Sequence, residues 1–131
     1  MTTNYQKYFD ANKEGWNKRT AVHKGSAFYD LETFKKGKSS LNRIELEELG
    51  DVKGKSLLHL QCHFGMDTMS WEREGAKVTG VDLSDEAIKL ANEIKEELKL
   101  NAAFKLSITL MPCSYISAGD CEDQMPPLCT L

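Results

Sequence analysis

Residues 56–82, SLLHLQCHFGMDTMSWEREGAKVTGVD, decide how this chain is expected to fold. Their first five residues form a short apolar run that is typical of a buried strand. Residues 66–74 then show apolar side chains at helical spacing, and Gly75 stands where a helix commonly ends on a glycine. A second β-rich run leads to Asp82. The stretch therefore predicts the order strand, turn, helix, strand.

The next segment repeats this pattern. Ser84 is a favourable N-cap for a helix over residues 85–100, and residues 102–106 can begin a third strand. Strands that alternate with helices of this length predict an α/β fold with a parallel sheet. The apolar stripe of the predicted helix consists of Ala87, Ile88, Ala91, Ile94 and Leu98.

Three helices are predicted before the first strand. They span residues 4–20, 27–34 and 41–49, and Ser26 and Ser40 are the expected N-caps of the second and third. The aromatic residues of the first helix share one stripe, and we expect them to pack it onto the domain rather than to bind a ligand. They are Tyr5, Phe9 and Trp16.

The composition is that of one small globular domain. The 131 residues are 40% hydrophobic and 28% charged, which is ordinary for a soluble protein. The net charge of -3 predicts neither a nucleic acid nor a membrane as partner. The N-terminus lacks a secretory signal, and the cysteines form no C-x-x-C motif. We therefore expect a cytoplasmic protein.

The turn at residues 61–65 and Asp82 both follow strands, at the sheet edge where open α/β sheets bind ligands. A carboxylate 17 residues after Gly65 can accept hydrogen bonds from ribose hydroxyls. The alternative is a solvated acid or a helix cap. A dinucleotide requires a turn with several glycines, whereas this turn has one. Because S-adenosylmethionine carries no phosphate, it tolerates such a turn better.

The same residues resemble the class I S-adenosylmethionine-dependent methyltransferases, and within them a bacterial subgroup with a Gln-Cys-His-Phe-Gly turn. The resemblance is carried by residues 57–68 (LLHLQCHFGMDT), 71–76 (WEREGA) and 78–84 (VTGVDLS). It covers roughly residues 10–105 and is strongest over 56–91. It implies a Rossmann-like fold with a three-layer parallel sheet, S-adenosylmethionine as small-molecule cofactor, and a helical lid over residues 1–50.

The resemblance also implies which residues contact the cofactor. The turn lies against the methionine half, Asp82 holds the ribose, and Leu83 packs near the adenosine. His59 stands where the wider class has an acid near the cofactor's amino group, and His23 and Tyr29 are lid residues expected at the pocket. No catalytic residue and no methyl acceptor can be named. The predicted cofactor-binding residues are His59, Gln61, Cys62, His63, Phe64, Gly65, Asp82 and Leu83.

Two other sites are disfavoured. A metal site at His59, Cys62 and His63 lacks a fourth ligand, and alternate strand residues point to opposite faces. Cys62 as a nucleophile lacks an evident base. We therefore predict no metal.

The end of the chain differs from the rest. All 17 basic residues precede residue 106, and residues 106–131 contain all three prolines. This tail matches no later strand of the family. We therefore expect a cofactor-binding half over residues 51–105 and an irregular tail over 106–131 that is not the native continuation, as after truncation or a frame shift. Translation of the gene in its other two frames past codon 105 tests this.

Loss of the family's fourth strand would have two consequences. It would leave residues 57–60 as an unpaired apolar edge open to self-association, and it would impair cofactor binding and methyl transfer. The remaining alternatives are a nucleoside-binding module without catalysis and an inactive interaction fragment.

Overall fold

The structure is a computed structural model that describes residues 4–107 and 129–130. In chain order, the elements are α1 (Asn4–Lys24), α2 (Leu31–Lys35), α3 (Arg43–Leu49), β1 (Ser56–Leu60), α4 (Met66–Arg73), β2 (Lys77–Asp82), α5 (Asp85–Leu98), β3 (Ala103–Leu106) and β4 (Cys129–Thr130). The four strands form one sheet in the order β3-β2-β1-β4, and every neighbouring pair is parallel. The predicted α/β fold with a parallel sheet is confirmed.

The core lies on one face of this sheet. Leu57 of β1 pairs with Val78 of β2, and both side chains are buried in a single apolar cluster with residues from α4 and α5. Because strand side chains alternate between faces, Leu58, Leu60 and Val81 point to the other face, where they are only half-buried. The described residues thus form the sheet and the helical layer on one of its faces. Helices α4 and α5 contribute Met66, Met69, Trp71, Leu90 and Ile94 to the cluster, and α2 contributes Leu31 and Phe34.

The helix caps before β1 differ from the predicted ones. Residues 27–29 form a turn, and α2 starts after Asp30, whose side chain accepts a hydrogen bond from the Thr33 N–H. Helix α3 starts after Asn42, which forms a reciprocal capping box with Glu45. Ser26 and Ser40 are therefore not the caps. A capping box satisfies two orphan backbone N–H groups, which a serine two residues earlier cannot do.

Helix α1 is longer than predicted and packs differently. It continues to Lys24, beyond the predicted end at residue 20. Of the aromatic stripe, Tyr5 is 71% exposed and does not pack, whereas Trp16, although 40% exposed, lies edge-on to the ring of His63. Polar contacts to α5, which are described with the site below, also hold the helix.

The two-residue strand β4 lies along β1. Leu58 and His59 pair with Cys129 and Thr130, so the prediction of an unpaired edge is wrong at these two residues. Residues 108–128, which make up most of the predicted irregular tail, lie outside the described residues. None of the helices described is long and apolar enough to cross a membrane.

Gly65 allows a direct test of how the turn packs. Its φ of 81° lies in the left-handed region, and a Cβ atom there would overlap the Phe104 ring. We expect Gly65→Ala to lower the free energy of unfolding by about 2–4 kcal/mol, since backbone strain and overpacking add. Gly54→Ala is the control, because Gly54 has a φ of 74° in open space. It should cost about 1 kcal/mol. Urea unfolding measures both, and equal losses would contradict the predicted clash.

Candidate functional site

The turn after β1 has an unusual backbone. Gln61 and His63 have φ values of 55° and 54°, in the left-handed region that side chains other than glycine rarely adopt. Two hydrogen bonds hold the turn: the Cys62 N–H donates to the Val81 carbonyl and the Gly65 N–H donates to the Cys62 carbonyl, each at 2.9 Å. Strained backbone of this kind clusters at functional sites. The turn is therefore the first candidate for ligand contact.

Asp82 joins the turn to the end of β2. Its Oδ2 accepts a hydrogen bond from the His63 N–H, and its Oδ1 accepts one from the Ser84 N–H, both at 2.8 Å. The residue is 8% exposed. Because each carboxylate oxygen has two lone pairs, both oxygens keep one acceptor position for a ligand. Asp82 is thus a structural acid and a candidate ribose acceptor at once.

A cavity of about 540 Å³ opens beside the turn. Six of the eight predicted cofactor-binding residues line it, and so does the predicted lid residue Tyr29. Asp82 and Leu83 do not line it, so the structure separates the predicted ribose contacts from the turn contacts. The six lining residues are His59, Gln61, Cys62, His63, Phe64 and Gly65.

The other walls of the cavity come from α2, α3 and the segment between them. They add two carboxylates, Asp30 and Glu45, and one amine, Lys38, while the first turn of α4 adds a third carboxylate, Asp67. Asp67 accepts a hydrogen bond from the Ser40 hydroxyl at 2.5 Å. Sequence reasoning missed Asp67 and Ser40. Asp67 lies two residues after Gly65, and that position was the only available signal.

His59 is held as a neutral ring. Its Nδ1 lies 2.7 Å from the Thr68 hydroxyl. Burial lowers the pKa of His59, and the nearby carboxylate of Asp67 opposes that shift only in part. The imidazole thus offers the cavity a dipole rather than a positive charge.

His63 is surrounded by aromatic rings. Its Nε2 lies 2.9 Å from Nδ1 of His23, so the N–H of one ring donates a hydrogen bond to the bare nitrogen of the other. The rings of Trp16, Tyr29 and Phe64 lie 4.5–5.7 Å away. Among the described residues, Nδ1 of His63 has no hydrogen-bond partner. Burial, and next the adjacent His23, lower the pKa of His63.

Helix α1 contacts both partners of Asp82. The Ser84 hydroxyl donates to Oδ1 of Asn17 at 2.6 Å, while the Asn17 amide donates to Asp85 at 2.8 Å. Trp16 lies edge-on to the His63 ring. Asn17 was not predicted, because an asparagine in a polar helix carries no local signal of a contact 67 residues away.

Neither disfavoured site gains support from this geometry. Burial raises the pKa of the Cys62 thiol to about 12, which keeps it protonated and unreactive. His59 and His63 bond to different partners, Thr68 and His23. Over residues 4–107, no group of three or more potential ligands could hold a metal ion.

Comparison with known proteins gives one significant relative. An uncharacterised RNA methyltransferase of Clostridium acetobutylicum is 36% identical over 95 residues, which are 72% of this chain and 18% of that protein. The chain therefore spans about a fifth of the length of the curated relative it matches. No protein-family model matches the chain.

Solved structures of methyltransferases align with about half of the chain. A geranyl diphosphate methyltransferase, in complex with GPP and sinefungin, is 30% identical, with a TM-score of 0.46, over 51% of this chain and 26% of that one. A Pyrococcus abyssi tRNA (uracil-54, C5)-methyltransferase, in complex with S-adenosyl-L-homocysteine, is 20% identical, with a TM-score of 0.43, over 50% of this chain and 17% of that one.

A parallel α/β sheet with a strained turn after β1 and an acid ending β2 is the layout of a Rossmann-like domain. The sequence match to an RNA methyltransferase agrees with the predicted resemblance. The predicted resemblance to the N-terminal part of the class I S-adenosylmethionine-dependent methyltransferases is thereby confirmed.

The two depressed histidine pKa values predict how stability changes with pH. Burial lowers the pKa of His59 and of His63 in the folded chain, so the folded chain binds these protons at a lower pH than the unfolded chain, which binds them near pH 6.5. As the pH decreases from 7.5 to 5.5, the unfolded state takes up more protons than the folded state, so the free energy of unfolding should decrease. His63→Gln should flatten this dependence, because it removes one of the two groups. Urea unfolding at several pH values measures it, and an unchanged slope in the variant would contradict the prediction.

Proposed function

We propose that this chain is the cofactor-binding part of a methyltransferase and that its cofactor is S-adenosylmethionine. The observation that carries the proposal is the bond between the turn and the acid. The His63 N–H donates to Asp82, and the same turn lines the cavity. One ligand that spans both would place an amino-acid part in the cavity and a ribose at Asp82.

The roles of the eight predicted contacts follow from their exposure. Cys62 and Phe64 are 4% and 1% exposed, so they would meet a cofactor through the backbone and by shaping the wall. Gln61 is exposed, so its side chain is available for hydrogen bonds, whereas the His63 ring bonds to His23 and would act through its backbone and its ring face. Gly65 would contribute its backbone alone, because the Phe104 ring fills the space where a side chain would stand. His59, Asp82 and Leu83 would add a neutral polar contact, a ribose acceptor and an apolar contact.

Affinity for the cofactor should be low in this chain. Asp82 is nearly buried. Trp16 and Asn17 of α1 contact His63 and Ser84, the two residues whose N–H groups donate to Asp82. A ribose reaches Asp82 only when these contacts give way, and affinity falls by the fraction of molecules in the open state. Methyl transfer depends mainly on positioning an electrophilic methyl group against an acceptor. We therefore propose weak methyl transfer and assign no catalytic residue.

Titration with S-adenosylmethionine tests the proposed cofactor. Backbone amide shifts of the labelled chain, followed by NMR, should give a Kd of roughly 0.1–1 mM, with changes at residues 61–65 and 82–84. Asp82→Asn should weaken binding about tenfold, since the variant loses a charged acceptor. Glu86→Gln is the control, because it removes an exposed acid nearby. If millimolar ligand causes no amide shifts, the proposed cofactor is wrong. A micromolar Kd would contradict the proposal that the contacts of α1 limit access to Asp82.

The two alternatives named from the sequence give different results. A nucleoside-binding module would bind adenosine as well as it binds S-adenosylmethionine and would show no turnover. An interaction fragment would sediment as a dimer at high concentration whether or not ligand is present. The pairing of β4 with Leu58 and His59 covers part of the edge that such a dimer would use.

RNA is a candidate for the methyl acceptor, and the relative from Clostridium acetobutylicum is the observation that favours it. The chain has 17 basic and 20 acidic residues, so its own charge provides little affinity for phosphates. Fluorescence anisotropy with a labelled single-stranded RNA at 50 and 200 mM salt tests this. Salt-dependent binding would favour RNA, whereas no binding would restrict this chain to the cofactor.

A further inference from the structure

The cavity beside the turn has a negative lining. Three carboxylates face one amine, Lys38, and the imidazole of His59 is neutral because it is buried. A lining of this charge attracts a cation more strongly than a neutral or anionic group. The three carboxylates belong to Asp30, Glu45 and Asp67.

Two of these carboxylates already serve as helix caps. Asp30 Oδ1 accepts a hydrogen bond from the Thr33 N–H at 3.3 Å, and Glu45 Oε2 accepts one from the Asn42 N–H at 2.8 Å. Their orientation is explained by the starts of α2 and α3.

Asp67 differs from both. It is half-buried in the first turn of α4. Its Oδ1 accepts a hydrogen bond from the Ser40 hydroxyl, with the two oxygens 2.5 Å apart. In the part of the chain that the structure describes, its Oδ2 has no hydrogen-bond donor and it forms no ion pair. Ser40 is itself fixed, because its N–H donates to the Ser70 hydroxyl at 3.1 Å. A held carboxylate with one oxygen free therefore stands two residues from Gly65.

We propose that Asp67 binds the ammonium group of the cofactor's amino-acid part and that Ser40 positions its carboxylate. This inference rests on the proposed function. His59 lines the same cavity but offers no negative charge, and its Nδ1 bonds to Thr68. The contact between the Asp67 carboxylate and a primary ammonium is charge-assisted, and it is therefore stronger than a hydrogen bond from the ammonium to the neutral His59 ring. Ser40 acts through Asp67 and does not touch the ligand.

The test compares two ligands and matched variants in NMR titrations. S-adenosylmethionine carries the ammonium, whereas 5′-methylthioadenosine lacks the whole amino-acid end. Asp67→Asn keeps an oxygen for the Ser40 hydroxyl and loses the charge, so S-adenosylmethionine should bind roughly tenfold to a hundredfold more weakly. Affinity for 5′-methylthioadenosine should not change. Glu45→Gln is the control: it removes a charge from the same cavity, keeps the cap, and should change neither affinity by more than about threefold.

Ser40→Ala tests the positioning role by the same comparison. It should weaken the binding of S-adenosylmethionine severalfold and leave the binding of 5′-methylthioadenosine unchanged, whereas a purely structural loss would weaken the binding of both ligands. A second measurement needs no variant. The unmodified chain should bind S-adenosylhomocysteine about tenfold more tightly than its deaminated derivative, in which hydrogen replaces the amino group.

Each outcome supports or overturns one proposal. Equal loss of both ligands in Asp67→Asn, unchanged binding of S-adenosylmethionine in that variant, or equal affinity for the deaminated derivative would overturn the role of Asp67 and leave the proposed cofactor standing. If the unmodified chain binds neither S-adenosylmethionine nor 5′-methylthioadenosine, the proposed function fails, and the role of Asp67 fails with it.

Discussion

The Asp82 carboxylate holds this site together. Two backbone N–H groups, from His63 and Ser84, donate to its two oxygens at 2.8 Å. Hydrogen bonds to a charged group contribute about 1.5–3 kcal/mol each. The first of them ties the turn after β1 to the end of β2, so one acid fixes how these two segments lie relative to each other. Such hydrogen bonds stabilise the turn although its backbone is left-handed at Gln61 and His63.

Burial of the His59 and His63 rings controls the charge of the site. The rings of His59 and His63 lie close to carboxylates, yet burial is the largest influence on both pKa values and keeps the rings neutral. Negative charge in the cavity is therefore not cancelled by its histidines. The same packing brings Trp16 and Asn17 of α1 against the groups that bond to Asp82. Helix α1 thus covers the groups that flank Asp82, whereas the residues that line the cavity come from other elements.

Much of the fold could be predicted from local pattern. The bounds of β1, α4, β2 and α5 follow from apolar periodicity, from Gly75 and from the N-cap Ser84, and all of these signals are short-range. The caps of α2 and α3 were mispredicted, because several Ser, Asp and Asn residues compete within a few positions and the reciprocal bond to Glu45 decides between them. The edge of β1 was mispredicted, because a pairing between residues about 70 apart leaves no pattern in either segment.

Sequence pattern was sufficient for the parallel α/β fold, the turn at residues 61–65 and the acid that ends β2, since strand, turn and helix signals depend on neighbouring residues. The packed chain was needed to show that six predicted contacts share a cavity without Asp82 and Leu83. It was also needed to place Asp67 and Ser40 in that cavity and Asn17 at the start of α5. These contacts join residues 27 to 67 positions apart, and their geometry depends on how helices dock rather than on local spacing.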